Sequence, residues 1–357
     1  MDLQVNRTDL HQTRVVELAP APLAEGQARL RVDAFGLSAN NVTYAVIGDM
    51  LQYWDFFPAE EGWGRVPVWG YADVAESTHP DLPVGRRCFG YLPMSEELVV
   101  TVGGADDSGF TDVSPHRQAM ASAYSRYQLV DPAGAGGDDE DRRMLLYPLF
   151  FTAFLVDDFL ADHDQFGASV VVVSSASAKT SLGIARNARD RAGLSVVGLT
   201  SPEKVAFVEG LGVYHQVCPY GREAELPDGP ASYVDVSGSG AVRAAVHQRY
   251  GRQLKHDMVL GATHWEGLGA PTEPLEGPEP AFFFAPTQLA KRSDDWGQAE
   301  LDRRMAEAWD RYGPWAASWL RFQHANGAEA LAETFLELLD NRADPSVGHI
   351  VSLTRPA

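Results

Sequence analysis

Apolar and polar residues alternate in short segments through the first hundred positions, at 14–18, 28–34, 68–76, 87–92 and 97–100, with turn residues between them. A period of two sends successive side chains to opposite faces, so these segments predict strands and together a β-rich module. Gly, Asp and Ser dominate 101–114 and 131–141, which predicts loops and a domain boundary. Residues 144–159 are apolar over a helical length, with Pro148 expected in the first turn, where a missing amide hydrogen matters little.

The pattern then changes. Four valines at 170–173 read as a strand buried on both faces, followed by a small-residue turn and a helix at 182–191. Strands at 195–199, 216–218, 233–236 and 257–261 alternate with helices at 203–211 and 241–250. Such alternation predicts an α/β domain with a parallel sheet covered on both faces. A strand at 282–284, helices at 297–325 and 328–339 and a last strand at 349–353 complete the reading.

The turn after the valines reads Ser-Ser-Ala-Ser-Ala-Lys-Thr-Ser. Ala176, Ser177, Ala178 and Ser181 are small enough to let a phosphate group approach the backbone and the start of the next helix, and Lys179 adds a cation. The same residues also suit a purely structural turn. Ser174, Ser177 and Thr180 either offer hydroxyls to a phosphate or cap the helix, and the two roles are compatible.

At 357 residues the chain is long enough for two cores. Its formal net charge of −20 argues against general affinity for nucleic acids or anionic membranes, so an anionic ligand needs a local basic pocket. The polar, acidic start and the lack of a run near the roughly 20 apolar residues of a membrane span point to the cytoplasm. Cys88 and Cys218 lack C-x-x-C spacing and are expected to be apolar fillers.

Segments 28–41 (ARLRVDAFGLSANN), 67–76 (PVWGYADVAE), 84–91 (VGRRCFGY), 147–154 (YPLFFTAF), 201–212 (SPEKVAFVEGLG) and 347–353 (VGHIVSL) together resemble the medium-chain dehydrogenase/reductase superfamily, on its zinc-independent quinone and enoyl reductase side. The resemblance implies a chaperonin-10-like β-rich catalytic domain at 1–135, completed by 290–357, and a doubly wound Rossmann nucleotide-binding domain at 136–289. It also implies a homodimer joined at the sheet edge near 282–284. Zinc-dependent members need a Cys early in the chain and a Gly-His-Glu segment on the next strand. Asn40 and Asn41 stand at the first place and Trp69, Gly70 and Tyr71 at the second, so no catalytic metal is expected. The glycines of the family's nucleotide turn are replaced by Ala178, Lys179 and Ser181.

Enzymes that select NAD place a carboxylate about 20 residues beyond that turn, against the ribose hydroxyls. Here the strand ends Gly198-Leu199-Thr200-Ser201, an uncharged end that suits a 2′-phosphate and favours NADPH over NADH. The expected cofactor set is Ser175, Ser177, Lys179, Thr180, Thr200 and Ser201, and the resemblance implies that Lys204 and Tyr220 contact the 2′-phosphate and that Gly261, His264 and Phe284 lie on the nicotinamide side. Lys204 and His264 also have ordinary readings, a solvated helix lysine and a satisfied loop histidine.

Without a metal, hydride transfer to a carbonyl or an enone needs a protein donor for the developing oxygen anion. Tyr44 and Asn41 follow the turn where the family places substrate-side polar groups; both are expected catalytic residues, with a donor near one or the other holding the developing oxygen anion, and Tyr44 is the expected carbonyl polariser or proton donor. The local alternatives are an asparagine satisfying its own backbone and a core tyrosine. Tyr53, Trp54 and Phe57 are expected to line a pocket for a small apolar or aromatic substrate, with core packing as the alternative. The expected activity is NADPH-dependent reduction of an activated alkene or a quinone. Two readings stay open beside it: a non-catalytic NADPH-binding sensor or scaffold, and a nucleotide-free partner that processes intermediates.

Overall fold

The computed structural model describes residues 1–17, 21–131, 136–261 and 275–355, and the chain divides into two compact units, Met1–Pro148 with Leu320–Ala357, and Leu149–Trp319. The first unit opens with β1 (Asp2–Asn6), β2 (Thr13–Val16), β3 (Gln27–Leu37), α1 (Ala39–Val46), β4 (Trp63–Gly64) and β5 (Pro67–Ser77). It continues with β6 (Arg87–Pro93), β7 (Glu97–Asp106), β8 (Gly109–Asp112) and β9 (Arg126–Val130). Helix α2 (Asp138–Asp162) leads into the second unit. There follow β10 (Val170–Val173), α3 (Lys179–Ala188), β11 (Ser195–Thr200), α4 (Val205–Gly210), β12 (Gln216–Pro219), β13 (Ala231–Asp235) and α5 (Gly240–Tyr250). The second unit ends with β14 (Leu254–Val259), β15 (Pro280–Phe282), α6 (Ala285–Trp296) and α7 (Gln298–Ala317). The chain then returns to the first unit with β16 (Arg321–Asn326), α8 (Ala328–Leu339) and β17 (Val347–Ser352).

In the first unit the main sheet runs β16-β17-β3-β5-β6-β9-β8-β7, and β3 also pairs with β7, so the strands from β3 round to β7 close into a ring. Closure removes the bare edges that would otherwise invite pairing with another chain. β3 serves both neighbours because it is long and irregular: Gln27 to Arg31 pair with β7, Ala28 to Gly36 pair with β5, and register shifts bend it in between. Gly70 permits the close approach of β5, since a Cβ there would lie 2.3 Å from the Ala34 carbonyl oxygen.

Arg87 fastens four elements of this unit. Its guanidinium bonds Asp33 on β3 at 2.8 Å, Asp73 on β5 at 3.1 Å and both oxygens of Glu140 on α2 at 3.0 and 2.8 Å. Burial would push the Asp33 carboxyl up, but the Arg355 and Arg87 guanidiniums more than reverse this and hold it below its ordinary value.

The second unit is a parallel sheet in the order β12-β11-β10-β13-β14-β15. The order reverses between β10 and β13, which is the switch point where ligands of doubly wound sheets bind. The valine run is explained by burial on two faces: Val171 and Val173 join the core that includes Leu182 and Val234, while Val170 and Val172 join Leu199 and Tyr233 on the other side.

Several elements depart from the sequence expectation. Residues 101–114 hold most of the β7–β8 hairpin, whose turn is fixed by Asp106 accepting the amides of Ser108 and Gly109 at 2.8 and 2.9 Å. α2 starts at Asp138, so Pro148 lies in its interior; Asp138, Asp139, Glu140 and Asp141 fill the first turn and complement the helix dipole there. The helix expected over 297–325 stops at Ala317, and Arg321–Asn326 instead pairs in parallel with β17, a tertiary pairing that outweighs local propensity. β1 was not foreseen either. Contrary to the expectation of no span-length apolar run, α2 is long and apolar enough to cross a membrane, although over half of its apolar stretch is buried in the fold, with Phe150, Leu155 and Val156 fully so.

Arg87→Ala takes from Glu140 its arginine and leaves Asp33 to Arg355 and Asp73 to Arg31, and it is expected to lower stability by about 3 kcal/mol at neutral pH. Because Asp33 is held below its ordinary value, its share of that stability is present above the unfolded carboxylate pKa and lost as pH falls. The gap between variant and parent in urea unfolding should therefore narrow in acid.

Candidate functional site

Every candidate nucleotide-binding residue that the structure describes lies in the second unit, at or just beyond the C-terminal ends of parallel strands. β10 ends at Val173, and the turn reaches α3 at Lys179. Within it Ser175 has φ +47°, a left-handed conformation that a non-glycine residue adopts at a cost of order 1 kcal/mol. Two bonds hold it there: its amide donates to Tyr220 Oη at 2.8 Å, and its carbonyl accepts from Ala178 at 2.7 Å. The Ala176 amide donates to the Leu199 carbonyl on β11 at 2.9 Å, and the Tyr214 hydroxyl donates to the Ala176 carbonyl at 3.1 Å. Ala176 must be small because it packs on Gly198, where a Cβ would lie 2.7 Å from its own. The turn is thus clamped on β11.

The residue before α3 is Ala178, so no N-cap side chain takes up the first amides of the helix. Those amides carry the positive end of the helix dipole, the usual seat of a phosphate. Ser181 does not face such a ligand with its hydroxyl, which donates to the Ser174 carbonyl at 3.0 Å. Ser177 is buried beside it, and Thr180 is half-buried in the first turn.

Beneath the turn lies a carboxylate that the sequence reading missed. Asp235 ends β13 with no exposed surface. Its Oδ1 accepts from Ser174 Oγ at 2.8 Å, Tyr233 Oη at 3.1 Å, Ser237 Oγ at 2.7 Å and the amides of Ser237 and Gly238 at 3.0 Å each. Oδ2 accepts from Arg243 Nη2 at 2.6 Å. Ser174 Oγ in turn accepts the amides of Val236 and Ser237 at 2.9 and 3.0 Å. The cluster therefore spans the switch point and pins β10 to β13. Arg243 also faces Asp257, 3.3 Å away, which bonds His247 at 2.9 Å. The signal in the sequence was a carboxylate closing an apolar strand just before Ser-Gly-Ser-Gly.

Thr200 ends β11 beside Pro219 of β12, and its carbonyl accepts the Tyr220 amide at 2.8 Å. Ser201 follows, and Lys204 closes the short turn Pro202–Lys204. The structure thus gathers Ser175, Thr200, Ser201 and Tyr220 at the ends of three adjacent strands, with Lys179 and Lys204 at the starts of the helical segments that follow. Burial pushes the Tyr220 phenol up to about 12, against the opposing effect of the Ser175 bond, so it stays protonated. Gly261 follows β14, donates to the Asp235 carbonyl at 3.2 Å and leaves no room for a Cβ, which would meet the Val236 carbonyl at 2.9 Å. Phe284 directly precedes α6. His264 lies outside the described residues.

The first-unit candidates sit in a packed environment. Asn41 is committed at both ends of its amide: Oδ1 accepts the Ser38 amide at 2.8 Å in a capping box for α1, and Nδ2 donates to the Pro67 carbonyl at 2.8 Å. Tyr44 lies on the same helix, buried against Tyr53 and Tyr91 at ring distances of 4.5 and 5.8 Å. Burial pushes its hydroxyl up, with Trp69, Asn40 and Tyr91 opposing. Trp69 Nε1 and Tyr91 Oη beside it are buried without a hydrogen bond. Trp54 is core: a Cβ on Gly48 or Gly64 would lie 2.4 or 2.2 Å from its indole. Phe57 is 1% exposed, with the Arg117 guanidinium 4.7 Å above its ring. Tyr53 is also buried, its hydroxyl 3.5 Å from that of Tyr124. Tyr53, Trp54 and Phe57 are thus buried in the packing of the first unit. Among the described residues no group of three or more His, Cys, Asp or Glu is placed to hold a metal ion.

A ring-closed β unit and a six-stranded doubly wound unit define the fold of the medium-chain dehydrogenases/reductases. Residues 35–344 match the family described as "Protein of unknown function (DUF2855)", and the chain belongs to that family. No curated protein matches it. Among solved structures it is similar to CurA from Vibrio vulnificus in complex with NADPH, at a TM-score of 0.62 and 15% identity over 96% of this chain and 95% of that one. A mutant enoyl thioester reductase from Candida tropicalis aligns at a TM-score of 0.57 and 13% identity over 99% of both chains. The yhdH oxidoreductase from Salmonella enterica in complex with NADP aligns at 0.54 and 15% identity, again over 99% of both.

Asp235→Ala removes the acceptor shared by five donors and leaves Arg243 without its closest partner. It is expected to lower the stability of the chain by about 3–5 kcal/mol in urea unfolding.

Proposed function

We propose that this chain is an NADPH-dependent reductase of an activated alkene or a quinone, with a small apolar or aromatic substrate. The observation that carries the reading is the Ser174-to-Lys179 turn: a left-handed Ser175 and a helix start with Ala178 at its N-cap, at the switch point and beside a strand end without a carboxylate. The donor set fits the cofactor. Lys179 and the first amides of α3 would neutralise the pyrophosphate, Ser201, Lys204 and Tyr220 would hold the 2′-phosphate, and Gly261 and Phe284 would border the nicotinamide. The fold neighbours bound to NADPH and NADP, and the enoyl thioester reductase among them, agree with this assignment.

NADPH, when bound, supplies a hydride. The chain's own task is then to stabilise the negative charge that develops on the substrate oxygen. Tyr44 is the proposed donor: its phenol, raised by burial, keeps the proton at Oη until a strongly basic oxygen meets it. Asn41 serves as a positioning residue, because its cap sets the start of the helix that carries Tyr44. A homodimer through the exposed edge of β15, where Phe282 is 46% exposed, belongs to the same proposal. A second reading, a non-catalytic NADPH-binding sensor or scaffold, is favoured by the burial of Tyr44 among aromatics.

Thermal-shift measurements test the nucleotide. NADPH at a hundredfold excess over its dissociation constant should stabilise by about 2.7 kcal/mol, and Lys204→Ala should weaken NADPH about tenfold while sparing NADH. No shift with either nucleotide removes the reading. Turnover separates the two forms of the proposal: Tyr44→Phe should lower the rate by about 10²–10⁴ in a reductase, whereas a binder shows no NADPH oxidation to lose.

A further inference from the structure

The connection from α2 to β10 has a strained backbone. Asp164, Gln165 and Phe166 have φ of +49°, +52° and +57°, so three non-glycine residues in succession are left-handed, and Gly167 follows at +74°. In that conformation the Cβ of an L-residue crowds the carbonyl oxygen that follows, and it persists only where its surroundings hold it. Nothing in the proposed reductase reading uses this turn.

What holds it is an aromatic stack. The Phe166 ring lies between two imidazoles, that of His256 on β14 at 4.0 Å and 4° and that of His163 at 5.0 Å and 7°. Phe159 on α2 borders all three rings, at 4.3 Å from His163 and 5.9 Å from each of the others. Few hydrogen bonds reinforce the turn: the Gln165 carbonyl accepts Ser232 Oγ at 3.1 Å and the Ala168 amide at 3.0 Å, and the Phe166 amide donates to the His163 carbonyl at 2.9 Å.

Both outer rings can take a proton. His163 is exposed, and its Nδ1 donates to the Phe159 carbonyl at 2.8 Å. His256 is half-buried, and burial holds its imidazole below the ordinary value, with Asp257 opposing and His163 adding to the effect. Asp257, next along β14, points to the other face of the sheet and is taken by Arg243 and His247. β13 presents Ser232 opposite His256, and the charged neighbours Lys255 and Asp164 are exposed.

We propose that this turn is an acid-sensitive latch at the junction of α2 and β10: the stack of neutral rings keeps it closed, and a proton on His256 opens it. The proton places a cation at the half-buried end of the stack, and a second proton on His163 sets two like charges across one phenyl ring. The closed turn binds the His256 proton less tightly than the open one does, so its stability is full above the ordinary histidine range and is lost as pH falls through that range. Once the stack parts, the left-handed backbone loses its support and relaxes.

Amide hydrogen exchange of the full chain, expressed as protection against an unstructured reference, tests the latch between about pH 8 and about pH 5. The Phe166 and Ala168 amides should lose protection several-fold in acid while those of Val171 and Val172 on β10 keep theirs. His256→Phe keeps a ring in the stack that takes no proton, and its turn should hold its protection throughout. Unchanged protection in the parent, an equal loss in His256→Phe, or an equal loss at Val171 overturns the proposal. So does a rise in acid, which a cation–π attraction for Phe166 would give. The parent alone supplies a further test, because the loss must share its midpoint with the titration of the His256 ring followed by NMR; different midpoints overturn the latch. No dinucleotide is present, so the outcome is independent of the reductase reading.

Discussion

A carboxylate without solvent, Asp235, is the constraint on which the second unit depends. Buried charge is tolerated only when it is fully bonded and paired, and here Oδ1 takes five donors while Oδ2 takes an arginine. The bonds tie β10 to β13, the two strands at which the sheet order reverses. With Ser174 fixed from below, the chain must leave the sheet at once. Ser175 adopts its left-handed conformation under that demand, and Tyr220 secures the amide it exposes. The geometry of the turn after β10 is thus set by side chains below and beside it rather than by glycines within it.

The first unit meets a different problem. Its strands have edges, and it removes most of them by bending β3 until one strand serves two neighbours. Arg87 then binds the carboxylates that the curvature brings together. The aromatic residues fill the space beside that ring, with Tyr91 touching Tyr44, Phe56, Phe57, Trp69 and Tyr124. Their polar ends are costly to bury, and those of Trp69 and Tyr91 are unsatisfied.

Much of this was legible in the residues because burial on two faces leaves a plain trace. The Val170–Val173 run and the alternation after it announced the parallel sheet, and the strand ending at Thr200 falls where it was expected. What escaped depends on partners distant in sequence. Arg321–Asn326 becomes a strand only because β17 lies beside it, and the hairpin within 101–114 depends on β3 and β9 as well as its own turn. Asp235 was passed over because a lone acid at a strand end carries no periodic signal; its role appears only when Ser174, 61 residues earlier, is brought against it. Trp54 looked like a lining residue because composition does not reveal the glycines, Gly48 and Gly64, that close over it.

The return of the chain at Leu320 has a consequence for biosynthesis. β17 pairs with the end of β3, so residues near 350 must find partners near 36, whereas the whole of the second unit lies between residues 149 and 319. A ribosome delivers the inserted unit complete while the outer one still lacks its closing strands. Sheets built from such remote pairings form slowly. The end of β3 therefore stays uncovered on one flank until the residues near 350 have been made, and a strand edge left bare in this way is open to mispairing.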